Sequence, residues 1–320
     1  MATTIKSTAL DFANIKTNLK TYLQNSTEFA DYNFEASGLS NILDVLAYNT
    51  HINALTANFA LNESFLGTAQ LRSSVVSLAT GIGYVPDTKT SAKATVGVTL
   101  SLSGVSGRPS TIDLPRYHRF AATVDDVAYV FQTTDVHTAE DDGNGTYVFK
   151  TVDGSAVVPI YEGTRKVKTF LVGEFNEADV YMIPDISLDA DSALVTVTEG
   201  TTDTVYTNIT AATTISATST IYILKEAPNG FYQLSFGGNG ILGLSPAAGS
   251  TITVDYISTK GATANTATGF TATDTVTVLG TARTLTVTTT AAAIAGGEKE
   301  TIESIRTNAP FQYATQNRMV

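Results

Sequence analysis

Residues 37–66 read SGLSNILDVLAYNTHINALTANFALNESFL. Ser37 or Ser40 can cap a helix there, running to about Leu66. It carries two apolar stripes. Leu39, Ile42, Leu43 and Leu46 form one. Val45, Tyr48, Ile52, Leu55 and Phe59 form the other at 3,4 spacing, with Leu66 a heptad further on. A single helix face needs one partner, so two stripes suggest two, unless an internal helical hairpin covers both. After Lys89 the period changes to two: Val96, Val98, Leu100 and Leu102 alternate with small or polar residues, as in a half-buried strand. This switch of period predicts an α+β chain, a helical arm followed by a mostly antiparallel β body.

Working outward, residues 8–24 read as a helix with Phe12, Ile15, Leu19, Tyr22 and Leu23 on one face and Thr8 and Asp11 at capping-box spacing. A third helix over 68–80 places Leu71, Val75 and Leu78 together, and Gly81, Gly83 and Pro86 stop it. Further strands are expected at 126–133, 146–152, 166–172, 194–198, 220–225, 231–236 and 251–257. Turns at Asp142-Gly143-Asn144-Gly145, Asp153-Gly154 and Asn229-Gly230 separate some of them. Thr-rich stretches at 196–220 and 271–290 read as strands of an inserted sub-domain or as loose loops. From Gly296 the pattern turns helical, with Glu298, Glu300 and Glu303 favourably near a helix N-terminus, and Pro310 is expected to interrupt it. The expected organisation is a helical arm over 1–88, a β body over 89–295 with residues 170–230 a candidate Thr-rich acidic insertion, and a helix over 296–320. That helix would lead into a missing domain, since the chain ends at Val320 as if cut.

The 320 residues carry 30 acidic against 19 basic side chains, a net charge of −11, with 15% charged and 43% hydrophobic residues. Low charge density argues for folded cores over disorder. The negative balance opposes nucleic acid and anionic membranes as partners. With no Cys, disulfides, thiolate catalysis and Cys-type metal sites are excluded. No apolar run reaches the length of a spanning helix, and the N-terminus lacks the apolar core of a signal peptide. The expectation is a chain made in a cytoplasm that leaves it by lysis or assembly. Between Thr169 and Leu224 there is no Lys or Arg, against Glu174, Glu177, Asp179, Asp185, Asp189, Asp191, Glu199 and Asp203. That window reads as a solvated acidic β surface, or as an edge for a basic partner.

Motifs for chemistry are few. The loop Gly238-Asn239-Gly240-Ile241-Leu242-Gly243 matches G-x-G-x-x-G, but Pro246 and a further strand follow where a dinucleotide site needs a helix. Gly237, Gly238, Gly240 and Gly243 therefore read as a structural β–β connection. His51 sits mid-helix, His118 in Pro115–Phe120 and His137 in an expected loop, with no partner pattern of a triad or a zinc site. Asp141–Gly145 lacks EF-hand spacing and reads as a hairpin turn. Asp189 and Asp191, expected on one face of a strand, are too few ligands for a metal. No enzyme, no cofactor and no metal are expected. The assembly interface is expected on Leu39, Ile42, Val45, Leu46, Tyr48, Ile52, Leu55 and Phe59.

Four stretches resemble one family. Asp31-Tyr32-Asn33-Phe34-Glu35, Ala47-Tyr48-Asn49-Thr50, Glu63-Ser64-Phe65, Ala69 to Val76 and Gly83-Tyr84-Val85-Pro86 look like the N-terminal arm of the baseplate wedge protein of T-even-like contractile-tailed phages. Leu114-Pro115 to Arg119-Phe120, with Phe131-Gln132-Thr133-Thr134, is similar to the family's P-x-G-T-x-F … F-x-T strand pair, with Tyr117-His118 in place of Gly-Thr. Phe236-Gly237-Gly238-Asn239-Gly240, Gly243, Pro246, Gly249, Tyr256, Gly261 and Ala264-Asn265 resemble the glycine signature of baseplate J-like proteins, Gly238 standing where Asp is common. Glu300 to Arg306, Ala309-Pro310 and Gln316-Asn317-Arg318 resemble the helix leading into the family's next domain. The acidic Thr-rich middle carries none of these motifs, and the family's Thr-x-x-Asp-Tyr continuation is absent.

The resemblance implies a structural role in a virion tail baseplate assembled in the host bacterial cytoplasm. It implies two copies per wedge, bundled through the N-terminal helices with a larger wedge subunit. Six wedges would ring the tail hub, with a small lysozyme-like sheath initiator as a further neighbour. The alternative from another class is an adhesin or fibre module binding host glycans through the Thr-rich β region.

Overall fold

The computed structural model describes residues 11–29, 32–34, 37–174, 179–212, 214–238 and 243–315. Thr8, Asp31, Glu35, Glu177, Gly240 and Gln316-Asn317-Arg318, singled out above, lie outside these. The chain divides into two units, residues up to Val85 with those from Thr301 onward, and Pro86–Glu300.

The first unit holds α1 (Phe12–Gln24), α2 (Gly38–Glu63), α3 (Arg72–Gly81) and α4 (Ile302–Thr315). Asp11 and Ser37 stand at the N-caps of α1 and α2, but neither side chain caps; Ser37 Oγ instead donates to the Phe34 carbonyl. The third helix begins at Arg72 rather than at 68, because Glu63 at the end of α2 accepts the Gln70 N–H at 2.7 Å and the Leu71 N–H. Those residues thus form a tied corner, and α2 ends three residues before Leu66. The expected break at Pro310 does not occur: α4 continues through it. Proline removes one backbone donor there. The helix is held by packing, with Ile305 and Ala309 fully buried against Ala69, Val75, Val76 and Ala79.

In the second unit, β1 (Lys93–Ser101), β2 (Thr111–Leu114), β3 (Arg119–Val124), β4 (Val127–Gln132), β5 (His137–Glu140), β6 (Thr146–Val148) and β7 (Val158–Glu162) come first. There follow β8 (Thr164–Leu171), β9 (Tyr181–Ile183), β10 (Leu194–Glu199), β11 (Thr202–Asn208), β12 (Ile221–Glu226), β13 (Tyr232–Phe236) and β14 (Thr251–Ser258). Last are β15 (Thr268–Ala272), β16 (Val276–Val278), β17 (Thr281–Arg283) and β18 (Thr286–Ile294). One seven-stranded sheet runs β15-β3-β4-β7-β1-β18, with β6 also on β1. Its ends meet, as Ala293 N–H donates to the Ala267 carbonyl at 2.9 Å and Thr266 N–H to the Ala293 carbonyl at 2.7 Å. Around its core, β1 buries Val96, Val98 and Leu100 as its alternation demands, beside Phe120, Phe131 and Phe270. Each such burial is worth roughly 1.5–3 kcal/mol.

The middle group of strands forms the second sheet, ordered β8-β14-β10-β11-β12-β13-β9. Every pairing in it is antiparallel except the short β11–β12 register. Residues of its two edge strands meet, the Phe170 and Tyr181 rings lying 5.3 Å apart. The Thr-rich stretches are largely strands: the first part of 196–220 supplies most of β10 and β11, with a 3-10 turn at 209–211 after them, and 271–290 supplies the end of β15, β16, β17 and the start of β18.

The chain leaves the first sheet at Gly163 and returns after Ser258. Gly163 has φ +132°, and a Cβ there would stand 2.3 Å from Ile257 Cγ2 and 2.7 Å from the Ser258 carbonyl oxygen, so glycine alone fits. Buried Glu162 ties the two crossings, accepting Thr259 Oγ1 at 2.6 Å and the Lys260 N–H at 3.0 Å. Burial pushes its carboxyl above the usual range, against the lowering effect of those donors.

Four local expectations are corrected. His137 lies in β5, buried, rather than in a loop. Strand β6 ends at Val148, short of 152, because Asp153 organises a turn by accepting from Thr151 Oγ1 and the Ser155 N–H. Asp189 and Asp191 do not share a strand face: Asp189 caps a 3-10 turn at 190–192 and accepts the Ser91 N–H at 3.0 Å. Nor is the acidic window wholly a solvated surface, since Asp185 and Asp189 are buried, Asp185 pairing with Lys166 at 2.7 Å.

Candidate assembly interface

Helix α2 has two unlike faces. At 3.6 residues per turn, Leu39, Leu43 and Ala47 lie along one line of the cylinder. Leu43 and Ala47 are buried and Leu39 is half-buried. Against this face packs α1, through buried Ile15 and the ion pair between Lys16 Nζ and Asp44 Oδ1 at 2.6 Å. The connection between them is pinned by an edge-to-face pair, Tyr32 on Phe34 at 5.0 Å, with Phe34 buried.

On the same helix, Val45, Tyr48, Ile52, Leu55 and Phe59 lie roughly opposite that line and Ile42 and Leu46 on its flank, and all seven are between 38% and 68% exposed. The second sequence stripe is thus uncovered over its whole α2 span. The first stripe is split: Leu43 goes inward, while Ile42 and Leu46 stay exposed on the flank between the two faces. Residues 39 and 43, and 42 and 46, follow separate i,i+4 lines, and α1 covers only the first. An internal hairpin therefore covers part of one stripe and none of the other. Asn49 and Asn53 sit within the exposed arc and bond each other, Nδ2 to Oδ1 at 3.3 Å. Asn62 is buried instead and donates to the Asn58 carbonyl at 2.7 Å.

Sequence reading missed Ala47 as the point of close approach, because alanine adds little to a hydrophobic pattern. Tyr22, expected on the apolar face of the first helix, is exposed, and the exposed Phe311 and Tyr313 of the same unit were not assigned. The glycine loop lies between β13 and β14, joining two strands. Gly237 is buried; its carbonyl accepts Ser245 Oγ. Gly243 has φ +71°, and a Cβ there would meet Ile221 Cγ1 at 2.7 Å. Gly238 is half-buried, and Gly240 falls outside the described residues.

Of the histidines, His51 is half-buried on α2, and His118 and His137 are buried. Burial lowers His118, which packs edge-on against Phe120 at 5.3 Å. The Asp141–Gly145 segment is a turn: Asp141 Oδ1 accepts the Gly143 and Gly145 N–H groups, both at 2.9 Å. Among the described residues no three His, Asp or Glu are grouped to hold a metal, and no helix is long and apolar enough to cross a membrane.

A helical arm with an uncovered apolar face, in one chain with a two-sheet β unit, defines a structural subunit of a larger assembly. Residues 11–84 match the family model of the baseplate wedge protein gp6-like helical domain. The chain is 33% identical over 338 residues to baseplate wedge protein gp6 of Enterobacteria phage T4. The match covers 97% of this chain and 48% of that protein, so the chain spans about half the length of its curated relative. A chain of the type VI secretion system TssK-TssF-TssG baseplate subcomplex superposes over 88% of this chain and 79% of its own at 9% identity, with a TM-score of 0.38, a likeness too distant to define the fold.

Proposed function

We propose that this chain is a non-enzymatic wedge subunit of a contractile-tail baseplate, located in the virion and assembled in the host cytoplasm. Its arm, residues 1–88, docks through the outer face of α2 into a bundle with a second copy of itself and a larger wedge subunit. The β body, residues 89–295, gives the wedge its bulk. A small sheath initiator is a further neighbour. The observation that carries this reading is the run of seven exposed apolar side chains from Ile42 to Phe59, inside the segment that matches the family's helical domain. Such a contiguous patch marks an interaction site on a folded protein. Two copies meeting one partner would place identical helices in different surroundings. Asn49 and Asn53, paired on the exposed arc, would then fix register at some cost in stability.

The test is Leu55→Asp. Leu55 is 58% exposed, so the charge is tolerated in the isolated chain. Inside the bundle, an unpaired buried charge costs several kcal/mol, roughly 3–5. Co-expression with the larger wedge subunit, then pull-down and circular dichroism, should show lost association with the strand signal unchanged. Co-purification at wild-type stoichiometry would remove the arm from the interface.

A further inference from the structure

The chain enters the second unit at Pro86 and leaves it at Glu300, and the two crossings are bonded side by side. Thr90 and Gly297 exchange backbone bonds at 3.1 and 3.0 Å, and the Glu300 N–H donates to the Asp87 carbonyl at 3.2 Å. Three contacts fasten this neck to the second sheet and its connections. The Ser91 N–H donates to Asp189 Oδ2 at 3.0 Å, the Ala190 N–H to Thr88 Oγ1 at 3.0 Å, and Lys299 Nζ to the Gly230 carbonyl at 2.9 Å. The first of these carries an electrostatic cost. Asp189 is 4% exposed, and among the described residues no cation pairs with it. The ammoniums of the neck are engaged elsewhere, Lys89 with Glu298 at 2.8 Å and Lys299 with Glu226 at 3.5 Å. Asp191 donates its N–H to Asp189 Oδ1 at 3.1 Å, Asp87 and Glu300 stand on the neck, and the Tyr222 hydroxyl donates to the Ala193 carbonyl at 3.2 Å. Toward β8, Lys166 is held by Asp185 at 2.7 Å, and at the end of β7 buried Glu162 donates its N–H to the Ala92 carbonyl at 2.8 Å. Burial pushes the Asp189 carboxyl above its usual range against the lowering effect of Ser91, and the Asp191 charge adds to the push.

We propose that the Asp189–Ser91 contact is a proton-operated clasp, closed while Asp189 is neutral and loosened as its carboxylate ionises in a buried site without a counter-charge. An ionised carboxylate regains its water when the clasp opens, whereas a neutral carboxyl has little hydration to regain. Opening is therefore favoured progressively as pH rises from the ordinary carboxylate range to the raised value of the closed form, and no further above it. Ser91 leads directly into Ala92 and β1, so the clasp controls whether the strand entering the unit is tied to the second sheet. The Thr90–Gly297 bonds involve no carboxyl and keep the two crossings paired while that tie is released.

The experiment is amide hydrogen exchange on the full chain from about pH 4 to about pH 7.5, corrected for the intrinsic rate. It is read by fragmentation mass spectrometry at Ser91, with Val96 and Val98 of β1 as internal references. Protection at Ser91 should fall about threefold or more as pH rises and then level off, and the reference amides should not follow. Asp189→Asn carries no charge at any pH, so its Ser91 protection should stay flat whatever its starting level. Asp87→Asn removes a neighbouring acid and should leave most of the response in place. Any of these results would overturn the proposal: no pH dependence at Ser91 in the wild type, an equal fall at the reference amides, the wild-type response kept in Asp189→Asn, or the response lost in Asp87→Asn.

Discussion

Asp125 and Asp126 make the two-residue turn between β3 and β4, at φ +48° and +63°, with Val124 paired to Val127 across it. Two-residue hairpins of this hand favour Asn-Gly because both positions need positive φ. A non-glycine residue there costs about 1–2 kcal/mol, partly offset by the entropy glycine loses on folding. Asp126→Gly should therefore stabilise the β unit by about 0.5–1 kcal/mol, read as a raised midpoint in denaturant unfolding. An unchanged or lowered midpoint would show that the aspartates hold the turn in some other way. The same residues explain why this hairpin was half-hidden in the sequence: β4 was legible from Val127 to Gln132, but Asp-Asp is not a hairpin signal, so of β3 only Arg119-Phe120 was marked, by the resemblance. Tyr117 is the converse case. The motif flagged it as standing where the family has glycine, and its φ of +64° is a left-handed conformation that glycine adopts most readily.

At the scale of elements, strongly periodic segments were legible and short tied ones were not. The long helix, ending at Glu63 three residues short of the pattern's Leu66, and the alternating strand β1 appear where periodicity is strong, because a long amphipathic run has few ways to bury its face. Strands β16 and β17 span three residues each and escaped, as did β7, whose Val158-Pro159-Ile160 hides its alternation behind a proline. The sheet crossings were illegible too, since they rest on contacts between residues nearly a hundred positions apart, Glu162 with Thr259 and Lys260. That link gives a prediction with a definite sign. The Glu162 pKa is raised in the folded chain, so its charged form is penalised there and the penalty is present above the folded pKa. It fades as pH falls and is gone below the unfolded value, where both states are protonated. Glu162→Gln keeps an acceptor for Thr259 and removes the charge. Its melting temperature should exceed the wild type's at pH 7, and the gap should close by about pH 4. A variant less stable than wild type at pH 7 would mean that the charge itself holds the crossing.

For the whole molecule, the two units differ in how completely they bury their apolar surface. Residues 86–300 contain both β cores entire, from Ala92 to Ala293 and from Val172 to Tyr256. The helical unit leaves Ile42, Val45, Leu46, Tyr48, Ile52, Leu55 and Phe59 uncovered. The class of the chain was legible because helix period and strand period occupy separate stretches. Which α2 face is free was not, because that depends on where the short α1 comes to rest. Burying each of these side chains is worth roughly 1.5–3 kcal/mol, so the full chain should associate with itself when its partners are absent. Its net charge of −11 opposes that association, and salt screens the repulsion. Sedimentation velocity at micromolar concentration should therefore show concentration-dependent association of the full chain that strengthens from about 0.05 to 0.5 M salt. Residues 86–300 alone should sediment as a monomer at every salt concentration, and only the full chain should bind an apolar dye. Association that weakens with salt would mean that charge pairs drive it, and a monodisperse full chain that binds no dye would mean that the outer face of α2 is covered within the chain itself.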